Sequence, residues 1–194
     1  MVGVHDAHTQ GVSFAFVSDH LALDFAATMA WRTTRRTELL AEPHDFVRWA
    51  VEAGVVDELD AVARADLAEA RALREAIYRL ALSAVEGGPS DGEDIALVRQ
   101  AAEHPPVRLA LQAVGRVERR GGVREVLATL GTSASDLLGG PERLLIRQCT
   151  AEPCTRLFLD RSRAGTRRWC SKRSCGSRIN SAAYRRRTRE DLPT

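Results

Sequence analysis

Apolar residues recur at helical spacing through most of the first 140 positions. Between Leu59 and Val85, the positions Leu67, Ala70, Leu73, Ile77, Leu80 and Leu82 or Ala84 lie mostly three or four residues apart. That period predicts a long amphipathic helix with one buried stripe, closed by Gly87-Gly88-Pro89. Arg71 with Glu75, and Glu75 with Arg79, stand four residues apart and are expected to pair on its outer side. Pro43 suits the first turn of a helix that buries Phe46, Val47, Trp49 and Ala50 and stops at Gly54. Ser90 with Glu93 reads as a capping box for a helix to about Glu103, closed by Pro105-Pro106. Val107 to Val114 and Arg116 to Arg119 alternate as strands and are expected to pair about Gly115. A last helix from near Gly122 carries Val126, Leu127, Leu130, Ala134, Leu137 and Leu138, is weakened by Gly131, and ends at Gly139-Gly140-Pro141. No internal repeat is visible.

Beyond residue 140 the pattern changes. All four cysteines fall between positions 149 and 175, as Cys149-x4-Cys154 and Cys170-x4-Cys175. Two close pairs on short loops can set four thiolates at tetrahedral corners about 2.3 Å from one Zn²⁺ at little loop-closure cost. An iron or iron–sulfur centre draws on similar thiolate sets, and paired disulfides would require an oxidising compartment. Four cysteine ligands leave no position open for water, so one structural Zn²⁺ per chain is expected and not a catalytic one. The segment has few large apolar residues, and metal binding can supply the missing folding free energy. Leu157 to Asp160 and Thr166 to Trp169 read as two strands joined by a turn over 161–165. A helix is expected from near Ser174 or Cys175 to about Arg189. The fold class is therefore mainly α: a helical N-terminal domain over 1–140, then a small treble-clef-like four-cysteine zinc module over 144–191, built of a β-hairpin plus a helix.

Charge sharpens the division. The 194 residues carry a formal net charge of +2, yet residues 1–143 hold 15 Arg against 22 acids while residues 144–194 hold 13 Lys+Arg against four acids. A basic tail on an acidic body fits a polyanion-binding appendage. Within it, Arg178, Ser181, Arg185 and Arg189 share one side of the expected helix, away from Ile179, Ala182 and Ala183. Arg161, Arg163, Arg167, Arg168, Lys172 and Arg173 add donors suited to phosphate, and Arg can also read guanine edges.

No membrane span or signal segment is read, and a cytoplasmic location is expected. The five histidines are scattered, and no GxSxG, GxGxxG or P-loop pattern occurs, so an enzyme is not expected. His20, Asp24, Trp31 and Arg32 lie close in sequence and are candidates for a small-molecule effector pocket. The competing reading is structural, with Asp24 holding backbone groups near a helix start and Trp31 in the core.

Cys149-x4-Cys154-x3-Phe158-x-Asp160-x-Ser162, then Arg167-Arg168-Trp169-Cys170-Ser171 and Cys175-Gly176-Ser177-Arg178, closely resemble the CGNR zinc finger, with Ser177 in place of the motif's Asn. Leu21 to Thr28 resembles the Leu-Asp-Phe-x-Asn-Thr signature of the ABATE domain, with Ala27 in place of Asn, and Arg71 to Leu80 is similar to that family's central helix. The resemblance implies a bacterial, stress-responsive transcription regulator with a mostly helical N-terminal domain. The expectation is DNA binding by the finger, with effector binding or homodimerisation by the body. The alternative is a zinc-dependent protein-interaction or RNA-binding adaptor without duplex specificity.

Overall fold

The computed structural model describes residues 13–181. Five helices dominate: α1 (Leu21–Ala26), α2 (Pro43–Glu52), α3 (Arg64–Glu86), α4 (Gly92–Ala102) and α5 (Val123–Gly139). Three two-stranded antiparallel ribbons accompany them: β1 (Met29–Ala30) with β2 (Thr37–Glu38), β3 (Arg108–Ala113) with β4 (Arg116–Arg120), and β5 (Ile146–Gln148) with β6 (Leu157–Leu159). A π-type turn over Lys172–Gly176 leads into helix over 177–181. The mainly α architecture with a small C-terminal cysteine module is the one expected.

The buried face of α3 carries Leu67, Ala70, Leu73, Ile77 and Leu80 as the spacing predicts, but continues at Ala81; Leu82 is half-buried and Ala84 exposed. Phe25, Phe46 and Trp49 form an aromatic cluster against it, with Phe25 and Trp49 centroids 4.9 Å apart. Helix α3 begins five residues later than expected, where the Ala63 N–H donates to Asp66; Leu59 and Val62 join the core from the preceding chain. The cap of α4 is Asp91 and not Ser90, because the Asp91 carboxylate accepts from the Glu93 and Asp94 N–H groups.

The expected pairs of Arg71 and Arg79 with Glu75 are not formed. Arg71 donates to the Leu40 and Ala41 carbonyls, Arg79 pairs with the buried Asp94, and Glu75 pairs with Arg32 and Arg74. Arg74 is 2% exposed and grips both oxygens of Glu38, at 2.5 and 2.7 Å. Long-range partners with buried, fork-shaped geometry thus displace the weak exposed pairs along the helix. Gly131 does not simply weaken α5. A Cβ there would come within 2.8 Å of the Ala102 nitrogen and 3.0 Å of the Val98 carbonyl oxygen, so glycine lets α4 and α5 approach closely.

β3 and β4 turn at Gly115 as expected, with φ at +82°. The C-terminal hairpin is a correction: β6 pairs with β5, with Ile146 opposite Leu159 and Gln148 opposite Leu157, while 166–169 is not a strand. Ile146, Leu157 and Leu159 bury against Leu23, Ala81 and Leu137 from α1, α3 and α5, so the cysteine module shares a core with the helical body.

Candidate metal centre

The β5–β6 hairpin carries the first cysteine pair at its turn. Beyond the last ladder pair the Cys149 N–H donates to the Arg156 carbonyl at 2.9 Å, and the Cys154 N–H donates to Ala151 at 2.8 Å, which hangs both sulfurs from one knuckle. The second pair flanks the turn that starts the C-terminal helix. Ser171 caps it, accepting from the Ser174 N–H on its side chain and from the Gly176 N–H on its carbonyl. Gly176 lets the turn pass close to the Trp169 ring, since a Cβ would lie 3.0 Å from it. Cys149, Cys170 and Cys175 are buried, and Cys154 is half-buried.

All four Sγ atoms lie within 4.8 Å of one another. Cys154 to Cys170 is 3.8 Å and Cys170 to Cys175 is 3.6 Å. Four sulfurs each about 2.3 Å from one tetrahedral ion stand about 3.8 Å apart, so the spacing fits a single Zn²⁺ and is far beyond a disulfide bond. The donor chemistry agrees. Hydrogen bonds from Cys154 and Cys170 pull the Cys149 thiol down to about 2. Its bond to Cys149 pushes Cys154 up to about 11, and Cys149 and Cys154 push Cys170 higher still. Left to themselves these three sulfurs compete for one negative charge; a divalent cation lets them ionise together. Cys170 N–H also donates to the Cys149 sulfur at 3.4 Å, while the Arg156 and Arg178 guanidinium groups lie 4.0 Å from the Cys170 and Cys175 sulfurs.

Asp160 organises the loop between the pairs. It accepts from the Ser162 hydroxyl and N–H and from the Arg167 N–H, and these bonds, led by the Ser162 hydroxyl, hold its carboxyl below the usual range. Gly165 turns the loop at φ +61°. Arg167 then locks the module to the N-terminal segment. Its Nε donates to the Trp169 carbonyl, Nη1 to Asp19 and the Leu159 carbonyl, and Nη2 to the Val17 and Cys170 carbonyls. Those bonds use all of its donors, so Arg167 is a structural clamp and has none left for phosphate. Arg161 is also engaged, with Glu142 at 2.6 Å, and Arg178 donates to the Ala151 and Glu152 carbonyls at 3.0 Å. Arg163, Arg168, Lys172, Arg173 and Ser181 are exposed, with Arg168 lying near the Trp169 ring at 5.8 Å. Arg185 and Arg189 lie outside the described residues.

The four candidates for an effector pocket part company. His20 caps α1, its Nδ1 accepting from the Ala22 N–H, and burial lowers its pKa. Asp24 accepts from the Val17 and Ser18 N–H groups at 3.0 Å, and its burial raises its pKa. Arg32 pairs with Glu75, donates to the Ala26 carbonyl and lies 3.8 Å over the Tyr78 ring. These three are engaged within the fold and do not line a common cavity with Trp31. Trp31 alone lines a cavity of about 270 Å³, together with Met29, Tyr78, Arg156 and Arg178. Arg156 and Tyr78 carried no signal in the sequence, since the cavity gathers residues from separated segments.

Fold and site together define a class: a helical domain carrying a four-thiolate, single-ion finger on a shared core. Residues 19–141 match the ABATE family, described as "Putative stress-induced transcription regulator", and residues 145–188 match the CGNR zinc finger. The chain belongs to the ABATE family, and its finger holds one structural zinc through Cys149, Cys154, Cys170 and Cys175. No curated protein matches the chain. Among the described residues no helix is long and apolar enough to cross a membrane.

Proposed function

We propose that this zinc-binding protein is a non-catalytic transcription regulator that binds DNA through its finger. The observation that carries the reading is the set of exposed cations, Arg163, Arg168, Lys172 and Arg173, on loops fixed by the metal centre and the Asp160 cradle. Rigid loops hold guanidinium groups at fixed spacing, which is what phosphate contacts along a duplex require. Four such contacts predict a slope of about −3 to −4 for log K against log salt on a fragment spanning the protein's own promoter. Replacing Arg163 and Arg168 together by Gln should flatten that slope by about 2 with zinc content unchanged. A salt-independent affinity, or tighter binding to single-stranded RNA or a purified protein than to any duplex, would overturn the reading.

The body supports self-association. All six residues of β3 are exposed, including Leu109 at 68% and Leu111 at 76%. β4 is tied to the body where the Asp57 N–H donates to the Arg119 carbonyl and the Arg119 N–H donates to Asp57, while β3 is the free edge. An antiparallel second copy centred on Ala110 sets Leu109 opposite the partner's Leu111 and Arg108 opposite the partner's Gln112. That pairing buries the apolar side chains without opposing like charges. Leu111→Lys should therefore run as a monomer by light scattering where the parent chain is a dimer. A parent chain that stays monomeric at high concentration would rule this interface out.

A further inference from the structure

The cavity beside Trp31 has walls of two kinds. Ala27, Met29, Ala30, Trp31 and Leu39 come from the helical body and are mostly apolar; Thr155, Arg156, Ser174 and Arg178 come from the finger, together with the zinc ligands Cys154 and Cys175. Tyr78 stands at the seam and donates to the Thr155 carbonyl at 3.3 Å. The finger's wall sets two guanidinium groups beside those two zinc ligands, and one of the two is incompletely paired. Arg156 spends Nη1 on the Cys170 sulfur, forms no ion pair among the described residues, and has a buried Nε with no hydrogen-bond partner. Arg178 spends Nη2 on two carbonyls and the Cys175 sulfur.

A buried guanidinium N–H without an acceptor is unfavourable, and a ligand oxygen would relieve it. Carboxylate is the acceptor whose geometry matches the guanidinium fork. A volume of about 270 Å³ suits a compact occupant. We propose that this cavity binds a small amphipathic carboxylic acid, with the carboxylate on Arg156 beside Arg178 and the apolar body among Ala27, Met29 and Trp31. A purely apolar ligand would leave the Arg156 Nε unpaired. Because the ligand would touch both body and finger, it would stiffen the seam between them. Any effect of that on DNA rests on the function proposed above, whereas the binding itself does not.

The test uses the full zinc-loaded chain, without DNA, and 4-phenylbutyrate as the probe, followed by calorimetry and tryptophan fluorescence. Saturable binding is expected, with the neutral 4-phenylbutyramide at least about tenfold weaker because it lacks the charge-assisted contact. Arg156→Gln should also lose about tenfold in affinity while keeping its zinc. Since Arg156 lies against a zinc ligand, Ala30→Leu supplies an independent variant. It fills the apolar wall that the helical body contributes, outside the finger, and should weaken the probe by a similar factor. Equal affinity for acid and amide would overturn the proposal, as would unchanged affinity in both variants or no saturable binding at about 10 mM probe. Binding that appears only after deletion of residues 1–12 would give the cavity to the chain's own N-terminal segment, and would equally overturn it. Failure here leaves the DNA reading standing, and a chain that ignores DNA can still bind the acid.

Discussion

Cys170→Ser is expected to abolish stoichiometric zinc and to unfold the finger, with a loss that extends into the helical body. Cys170 is the fully buried ligand whose sulfur lies within 3.8 Å of both Cys154 and Cys175 and whose N–H donates to the Cys149 sulfur. Serine supplies neither the thiolate nor its reach, and an open metal shell would remain. Zinc contributes on the order of 10 kcal/mol to the folding of small four-ligand modules, more than a segment this poor in apolar residues can replace. The spread into the body follows from the shared core. If β5 and β6 come away, Ile146, Leu157 and Leu159 leave Leu23, Ala81 and Leu137 uncovered, at roughly 1.5–3 kcal/mol for each large side chain re-exposed. Elemental analysis should read zero zinc, protease should cut within 146–181, and the helical body should melt at lower temperature. Chelating zinc from the parent chain should reproduce all three. A mutant that keeps one metal and its protease resistance would refute the ligand assignment.

That coupling was not legible in the sequence, although much around it was. The stripe of α3 and the two Cys-x4-Cys pairs declare themselves because periodicity and short-range spacing are local properties. The partner of β6 does not. Leu157 to Leu159 could have paired with either flank; β5 takes the place because its Ile146 completes an apolar face that helices α1, α3 and α5 cover. The same limit applies to charge. Four-residue spacing nominated Arg71–Glu75 and Glu75–Arg79, yet Asp94 and the Leu40 carbonyl, far along the chain, offer less solvated partners. In the N-terminal segment, closeness in sequence suggested one pocket for His20, Asp24, Trp31 and Arg32. The backbone instead disperses them: two cap or brace the start of α1, one ties into α3, and only Trp31 reaches the cavity.

Arg167→Ala should destabilise the protein severely, whatever the finger binds. From sequence Arg167 looks like one more cation in a basic tail. In the structure its guanidinium stacks 4.4 Å from the Phe158 ring and spends every donor on Asp19 and on the carbonyls of Val17, Leu159, Trp169 and Cys170. Two of those carbonyls flank the third zinc ligand, and Val17 and Asp19 belong to the segment that leads into α1. Truncation would leave four carbonyls and a carboxylate short of a partner. At about 1–3 kcal/mol for each acceptor that water cannot reach, a net loss of about 3–5 kcal/mol is expected. Arg167→Lys should recover little, since one ammonium cannot span acceptors arranged around a planar fork. The contrast is with Arg163→Ala: that exposed side chain has no ion pair among the described residues, and its loss should fall within about 0.5 kcal/mol in stability. Chemical denaturation of both variants, with zinc content measured beside it, separates the two roles. If Arg167→Ala unfolds at the parent's midpoint yet loses affinity for DNA, the clamp assignment fails and Arg167 returns to the phosphate-binding set.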